Sequence, residues 1–184
     1  MSFKINEFSK KLIGGGARPT LFKVELGTKF NPGLNEISAF LVEATSMPGS
    51  NIAPIQIPYM GRKMNVAGDR TFDTWQVRVI NDEDFKIRHA MEDWMNKINS
   101  LEGNLMATNQ SANPASYKHD ASVKQYGKSS SDKVLREYKY FDMFPIAISP
   151  IELDWNATDE IERFTVDFAY DYYEVVDPSN QILR

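Results

Sequence analysis

The sequence predicts a mainly β protein: an antiparallel β-sandwich or rolled barrel with one flanking α-helix. Three observations lead there. From Thr71 to Ile80, Trp75, Val77 and Val79 alternate with Thr74, Gln76 and Arg78, the period-two pattern of a strand with one dry and one wet face. From Glu162 to Val176, Phe164, Val166, Phe168, Tyr170 and Tyr172 alternate with Thr165, Asp167, Ala169 and Asp171 in the same way. Between them only one run, Ile87, Ala90, Met91, Trp94 and Ile98, repeats at three- and four-residue spacing, so the chain lacks the repeated strand–helix alternation of a parallel sheet.

In chain order, Ser2 to Leu12 reads as a short helical arm with Phe3, Phe8 and Leu12 as scattered apolar contacts, and Gly14-Gly15-Gly16 as the hinge that ends it. These glycines are not a phosphate loop: Ala17-Arg18-Pro19 follows, where a nucleotide site needs Gly-Lys-Ser or Thr. Residues 1–18 are therefore an N-terminal arm and hinge. Leu21 to Leu26 alternates as a strand, Asn31-Pro32-Gly33 turns, and the apolar run Ile37 to Thr45 is read as a second strand. Residues 47–64 carry Pro48, Pro54 and Pro58, which cannot donate ladder bonds, so this stretch is expected to project as a loop or an edge. Its Ile52, Ile55, Ile57 and Met60 are more apolar than a purely solvated connection needs.

Ala67-Gly68-Asp69-Arg70 reads as a tight turn into the Thr71–Ile80 strand. Asn81 or Asp82 then caps the helix, with the remaining carboxylates of Glu83 and Asp84 in its first turn. Trp75, Val77, Val79, Ile87, Met91, Trp94 and Ile98 form the expected core. Residues 104–133, rich in Ser, Asn, Ala and Lys, are expected to be a mobile loop with Tyr117, Val123 and Tyr126 as anchors and a short strand near Ala121 to Tyr126. Tyr138 to Ile148 is aromatic and β-favouring, with Pro145 and Pro150 marking a bulge or edge, and Asp154 to Glu160 is an acidic turn.

The 184 residues suit one domain, and 42% hydrophobic content with 12% aromatics supplies a sizeable core. A net charge of −4 argues against a phosphate-gripping surface. With no cysteine, disulfides, thiolate metal sites and Cys nucleophiles are excluded. The N-terminus lacks the apolar core of a signal peptide and no run approaches the ~20 apolar residues of a membrane helix, so no membrane anchor is expected. The sequons at Asn109 and Asn156 are then chance matches. His89 and His119 give no evident metal site or base. Neither Glu152 with Asp154 nor Asp159 with Glu160 and Glu162 has anything to fix a catalytic separation, and no nucleophile elbow is present. No catalytic, cofactor or metal residue is assigned.

The run Tyr59-Met60-Gly61-Arg62, Ala67-Gly68-Asp69-Arg70-Thr71-Phe72, Trp75 and Val79-Ile80-Asn81-Asp82-Glu83-Asp84-Phe85 closely resembles the tail tube proteins of contractile-tailed, myovirus-type bacteriophages. The resemblance implies a structural virion protein, made in the host cytoplasm, whose hexameric rings stack into the conduit for DNA delivery. Tail sheath would lie outside, baseplate and tail terminator at the ends, and genomic DNA would pass through without specific binding. In such a tube the 47–64 stretch is either a long surface connection or a ring-stacking arm built on Ile52, Ile55, Ile57 and Met60, and the hinged N-terminal arm is placed to reach a neighbouring ring. A lumen strand needs one apolar face toward its own core and one polar face toward DNA. Thr74, Gln76, Arg78, Thr165, Asp167 and Asp171 are the lumen-facing set this implies, unless those faces meet bulk solvent or a neighbouring subunit. A type VI secretion-like tube protein and a monomeric ligand-binding β-barrel are the alternatives.

Overall fold

The computed structural model describes residues 5–12, 16–27, 33–105, 113–128, 130–177 and 182–183. Two packed sheets share one strand. Strand β7 (Ser130–Ile148) pairs through Val134–Met143 with β6 (His119–Gly127), which in turn pairs with β1 (Phe22–Leu26). Further along, Phe144–Ile148 pairs with β8 (Arg163–Ala169), then β5 (Trp75–Ile80) and β2 (Val42–Thr45) follow, all antiparallel. The order is β1-β6-β7-β8-β5-β2, with β9 (Tyr172–Val176) and β10 (Ile182–Leu183) branching from β7.

The change of sheet is made at Asp142, whose φ of 56° lies in the left-handed region that Asp tolerates better than bulky residues. The β6–β7 register slips there, between His119–Met143 and Ala121–Tyr140, and Asp120 accepts from the Asp142 amide at 3.3 Å. The neighbouring chain breaks at the same place. Tyr170 and Asp171 separate β8 from β9, with Asp171 N–H donating to the Phe141 carbonyl at 3.2 Å. The Glu162–Val176 stretch is thus two strands rather than the one its alternation suggested. The phase also flips: Phe164, Val166 and Phe168 are buried, whereas Tyr172 is exposed and stacks on Phe141.

Between the sheets, Trp75 of β5 stacks on Tyr140 of β7 (centroids 4.3 Å apart, 19° between planes), with Phe168 beside it. Trp75 Nε1 donates to Thr45 Oγ1 at 2.8 Å and to the Ser46 carbonyl at 3.2 Å, and Tyr140 Oη donates to that same carbonyl at 3.3 Å, so neither polar tip is stranded in the core. Burial pushes the Tyr140 hydroxyl far above the ordinary tyrosine range, keeping it protonated as that donor.

Helix α3 (Lys86–Ile98) packs its expected stripe inward: Ile87, Met91 and Trp94 are buried, and Ala90 and Ile98 lie against the core. Its start differs from expectation. Asn81 instead bonds Glu162, while Asp82 takes the Lys86 amide at 3.1 Å across a turn closed by left-handed Phe85. His119, expected in a mobile loop, is buried at the head of β6 against Trp94. The 104–133 interval therefore holds β6, longer than the short strand expected, and the start of β7; residues 106–112 and 129 lie outside the described set.

Two further α-helices lie among the described residues. The expected arm forms α1 (Ile5–Lys11); hinge residues Gly14 and Gly15 lie outside the described residues, as do Asn31 and Pro32 of the expected turn. The stretch read as a strand from Ile37 to Thr45 is mostly helix α2 (Leu34–Leu41), only its last four residues making β2. Leu34, Ile37, Ser38 and Leu41 recur at helical spacing, and α2 covers the β1 edge: Ser38, fully buried, accepts from Leu26 N–H and lies within reach of the Val24 carbonyl.

Across β1, β6 and β7 the outer face carries Glu25, Lys124 and Glu137, with Lys23 also on Glu25. Partial burial opposes the Glu25 charge, but hydrogen bonds from Lys124 and Lys23 outweigh it and hold the carboxyl below its ordinary value. A depressed carboxylate stabilises the fold above its unfolded pKa, and that contribution fades as pH falls through the folded one. Urea titrations should therefore show Glu25→Gln losing about 1 kcal/mol near neutral pH. The difference from the parent should shrink as both are acidified through and below the carboxylate range.

Candidate assembly interface

The 47–64 stretch projects, but as a β-hairpin rather than a loop. Strands β3 (Asn51–Tyr59) and β4 (Arg62–Thr71) pair only with each other, and all their residues except Gly68 are exposed. At about 3.3 Å per residue the hairpin extends roughly 30 Å. It turns at Met60-Gly61 (φ 43° and 80°), the two-residue turn with positive φ that matches strand twist and favours glycine second. Ala67-Gly68-Asp69-Arg70, expected to be the turn, is within β4. There the register slips between Ile52 and Pro54, and a Cβ on Gly68 would sit 2.5 Å from the Ala53 carbonyl oxygen, so this glycine serves a close backbone approach at a bulge.

Pairing makes the hairpin two-faced. Ile55 lies opposite Val66 and Ile57 opposite Met64, forming an apolar ladder that ends at Tyr59 and Arg62. On the other face Gln56 meets Asn65 and Pro58 meets Lys63. Ile52, by strand alternation, faces away from Ile55 and Ile57, and Met60 sits at the tip, 87% exposed. Met64 and Val66 belong to the ladder although sequence reading did not single them out. Their alternation with Lys63, Asn65 and Ala67 was the available signal, hidden by taking Gly68 for a turn.

The second surface is the outer face of β2, β5 and β8. Gln76 donates to Asp167 at 2.9 Å, Arg78 lies opposite Thr165 in the register, and Glu43 accepts from Arg78 and from Arg163 at 3.1 Å each. Two arginines and two carboxylates thus balance on this face. Four of the six polar residues expected to act together are adjacent here. Thr74 precedes β5, which begins at Trp75 rather than Thr71, and Asp171 stands at the crease in an ion pair with Lys118. Of the carboxylates considered for catalysis, Asp154 accepts from the Asn156 amide at 2.9 Å in a local turn, and Glu162 accepts from the Asn81 side chain at 2.9 Å. Among the described residues no three His, Asp or Glu side chains gather as a metal site, and no helix is long and apolar enough to cross a membrane.

The chain and its fold have counterparts among known proteins. The family model for phage tail tube proteins matches residues 8–176. The tail tube protein gp19 of Enterobacteria phage T4 is 37% identical over 161 residues, covering 88% of this chain and 93% of that one. The chain belongs to the phage tail tube protein family. The tube protein of Serratia phage KSP90 is 29% identical over 71% of the chain and 70% of its own length. In fold, this tail tube protein resembles a chain from the baseplate of the anti-feeding prophage (TM-score 0.65, 9% identity, covering 89% of this chain and 97% of that one). It also resembles a chain of the sheath–tube complex of an extracellular contractile injection system, PVC (TM-score 0.55, 13% identity, covering 96% and 99%). It is a structural protein of the contractile phage tail, and between phage tube and secretion tube the family match supports the former.

Because the hairpin is exposed along its length and its strands pair with each other rather than with the roll, its apolar ladder adds little to the stability of the free tube protein. Replacing Ile55 and Ile57 by Ser should shift the unfolding free energy of the unassembled subunit by no more than about 0.5 kcal/mol, as for exposed positions generally. Chemical denaturation of dilute protein checks this, and a loss of several kcal/mol would assign both residues to the core instead.

Proposed function

We propose that this tube protein assembles as hexameric rings stacked into the tail tube, with the β3–β4 hairpin docking its apolar ladder on the next ring and the polar face of β2, β5 and β8 lining the channel. The observation that carries the reading is the hairpin itself. A two-stranded ribbon is marginal alone in water, and an apolar ladder with nothing to cover it calls for a partner surface. Ile52 and Met60, off the ladder, contact the partner from the back and the tip. Tail sheath lies outside, baseplate and tail terminator close the ends, and the subunit does no catalysis.

The proposed channel wall carries Gln76, Arg78, Thr165 and Asp167, with Thr74 at its head. Its arginines are tied to Glu43, so the face is near neutral and offers phosphates no unpaired cation, which suits a conduit through which DNA slides. Asp171, ion-paired at the crease, contributes less to this wall than its place in the sequence suggested.

Electron microscopy of the protein at rising concentration, alone and on baseplates, tests the assembly: six-fold rings and tubes are expected, and a strictly monomeric particle in both settings defeats it. The Ile52, Ile55 and Ile57 to Ser variant should remain folded and form no tubes. For the wall, Asp167→Lys should still give tubes, but with DNA retained or delivered slowly in a manner relieved by added salt. Normal delivery by that variant removes Asp167 from the channel.

A further inference from the structure

Among the apolar surfaces that the described residues leave exposed outside the hairpin, two are complementary. One is helix α1 with the residue that follows it, where Ile5, Phe8 and Leu12 fall three and four positions apart on one face and are 81%, 67% and 45% exposed. Seven residues are too few to hold a helix in water unaided, so this face needs a surface to lie on. The other is a groove of about 600 Å³ between the C-terminal half of α3 and the last residues of β7, walled by Met95, Ile98, Phe144 and Ile148, with Leu101 and Ile146 exposed at its rim.

We propose that this groove receives helix α1 of a second copy of the chain. The proposal rests on the reading that the subunits self-associate. Charge favours the match. Lys10 and Lys11 close the last turn of α1, while the groove has Glu102 next to Leu101 and lies beside the C-terminal end of α3, where the helix dipole is negative; its Glu92 is already paired with Arg88. Reach allows it: the Arg18 carbonyl is held by Gln125, and the residues between α1 and that anchor, 12–17, can span up to about 20 Å. Stoichiometry fits as well, since each chain offers one arm and one groove. Such a contact joins unlike surfaces and so propagates from copy to copy, the kind of contact from which rings and open stacks are made, rather than closing a two-fold pair.

The absence of cysteine makes the test direct. Phe8→Cys and Ile146→Cys are made in separate, differently tagged chains; both positions are exposed, and unfolding curves confirm that each variant folds. The chains are mixed under assembly conditions and treated with a short bis-maleimide. A cross-link joining the two tags is expected only when both substitutions are present, and Lys10→Glu with Lys11→Glu on the arm should lower its yield. Tubes seen by electron microscopy without the cross-link overturn the arm–groove contact and leave the tube reading standing, whereas cross-linked soluble oligomers without tubes support the contact and count against the tube. No cross-link in the absence of tubes overturns the proposal too. So does linkage within the Phe8→Cys, Ile146→Cys double variant when it is dilute and monomeric, because the arm then serves its own groove; free reaction of the Ile146→Cys variant with a maleimide dye inside tubes has the same force.

Discussion

The stack of Trp75 on Tyr140 is the contact on which the architecture depends. It joins β5 of one sheet to β7 of the other, and both rings hang their polar tips on the Ser46 carbonyl at the end of β2. A buried indole or phenol without an acceptor would cost about 1–3 kcal/mol, so the stack demands that β2 end where it does. With β2 ending there, the next residues leave the body of the protein and become the hairpin. The same stack sets the facing of β5: with Trp75 inward, Val77 and Val79 follow, and Gln76 and Arg78 must point out. Core packing and the outer polar surface are thus two results of one alternation.

Most of what periodicity can report was legible. The β5 alternation and the α3 stripe stand as read, because each is decided by residues within a dozen positions of one another. The errors have non-local causes. In α2, Ile37 to Thr45 is apolar enough to pass for a strand, and Ser38 looks like a surface residue until β1 arrives to share its hydroxyl. Gly68 reads as a turn because a glycine needed for the approach of a facing strand has the same letter as one needed for positive φ. The break at Tyr170-Asp171 follows from a crease in a different strand, at Asp142, and the alternation runs across it unmarked. His119 sits in a polar, Lys- and Ser-rich stretch, and only the tertiary contact with Trp94 buries it. For the candidate surfaces, residue types were readable but grouping was not: strand pairing brings Gln76 to Asp167, splits Ile52 from Ile55, and adds Glu43, Met64 and Val66.

The molecule separates two uses of apolar side chains. Those of the roll are enclosed by sheets and helices and hold one subunit together; those of β3–β4 and α1 lie outside and contribute little to that subunit, while the α3–β7 groove is walled by side chains that also pack on the core. Stability and association can then vary independently, since changes to the hairpin ladder do not reach the Trp75–Tyr140 contact. The polar faces divide in a similar way, with Glu25 and Lys124 bracing one sheet and Glu43 bridging two arginines on the other.

The pairing of β5 with β8 also bears on how the chain is made. Gln76 and Asp167, hydrogen-bonded neighbours in the sheet, are 91 positions apart. At about 5–20 residues per second, one edge of β5 waits on the order of 5–20 s after synthesis before β8, the strand that pairs with it, leaves the ribosome. The β3–β4 hairpin, by contrast, needs only adjacent residues and forms in microseconds once both strands have emerged. The nascent chain therefore completes its outermost feature before its core exists, and for those seconds Trp75, Val77 and Val79 are the segment most in need of a chaperone.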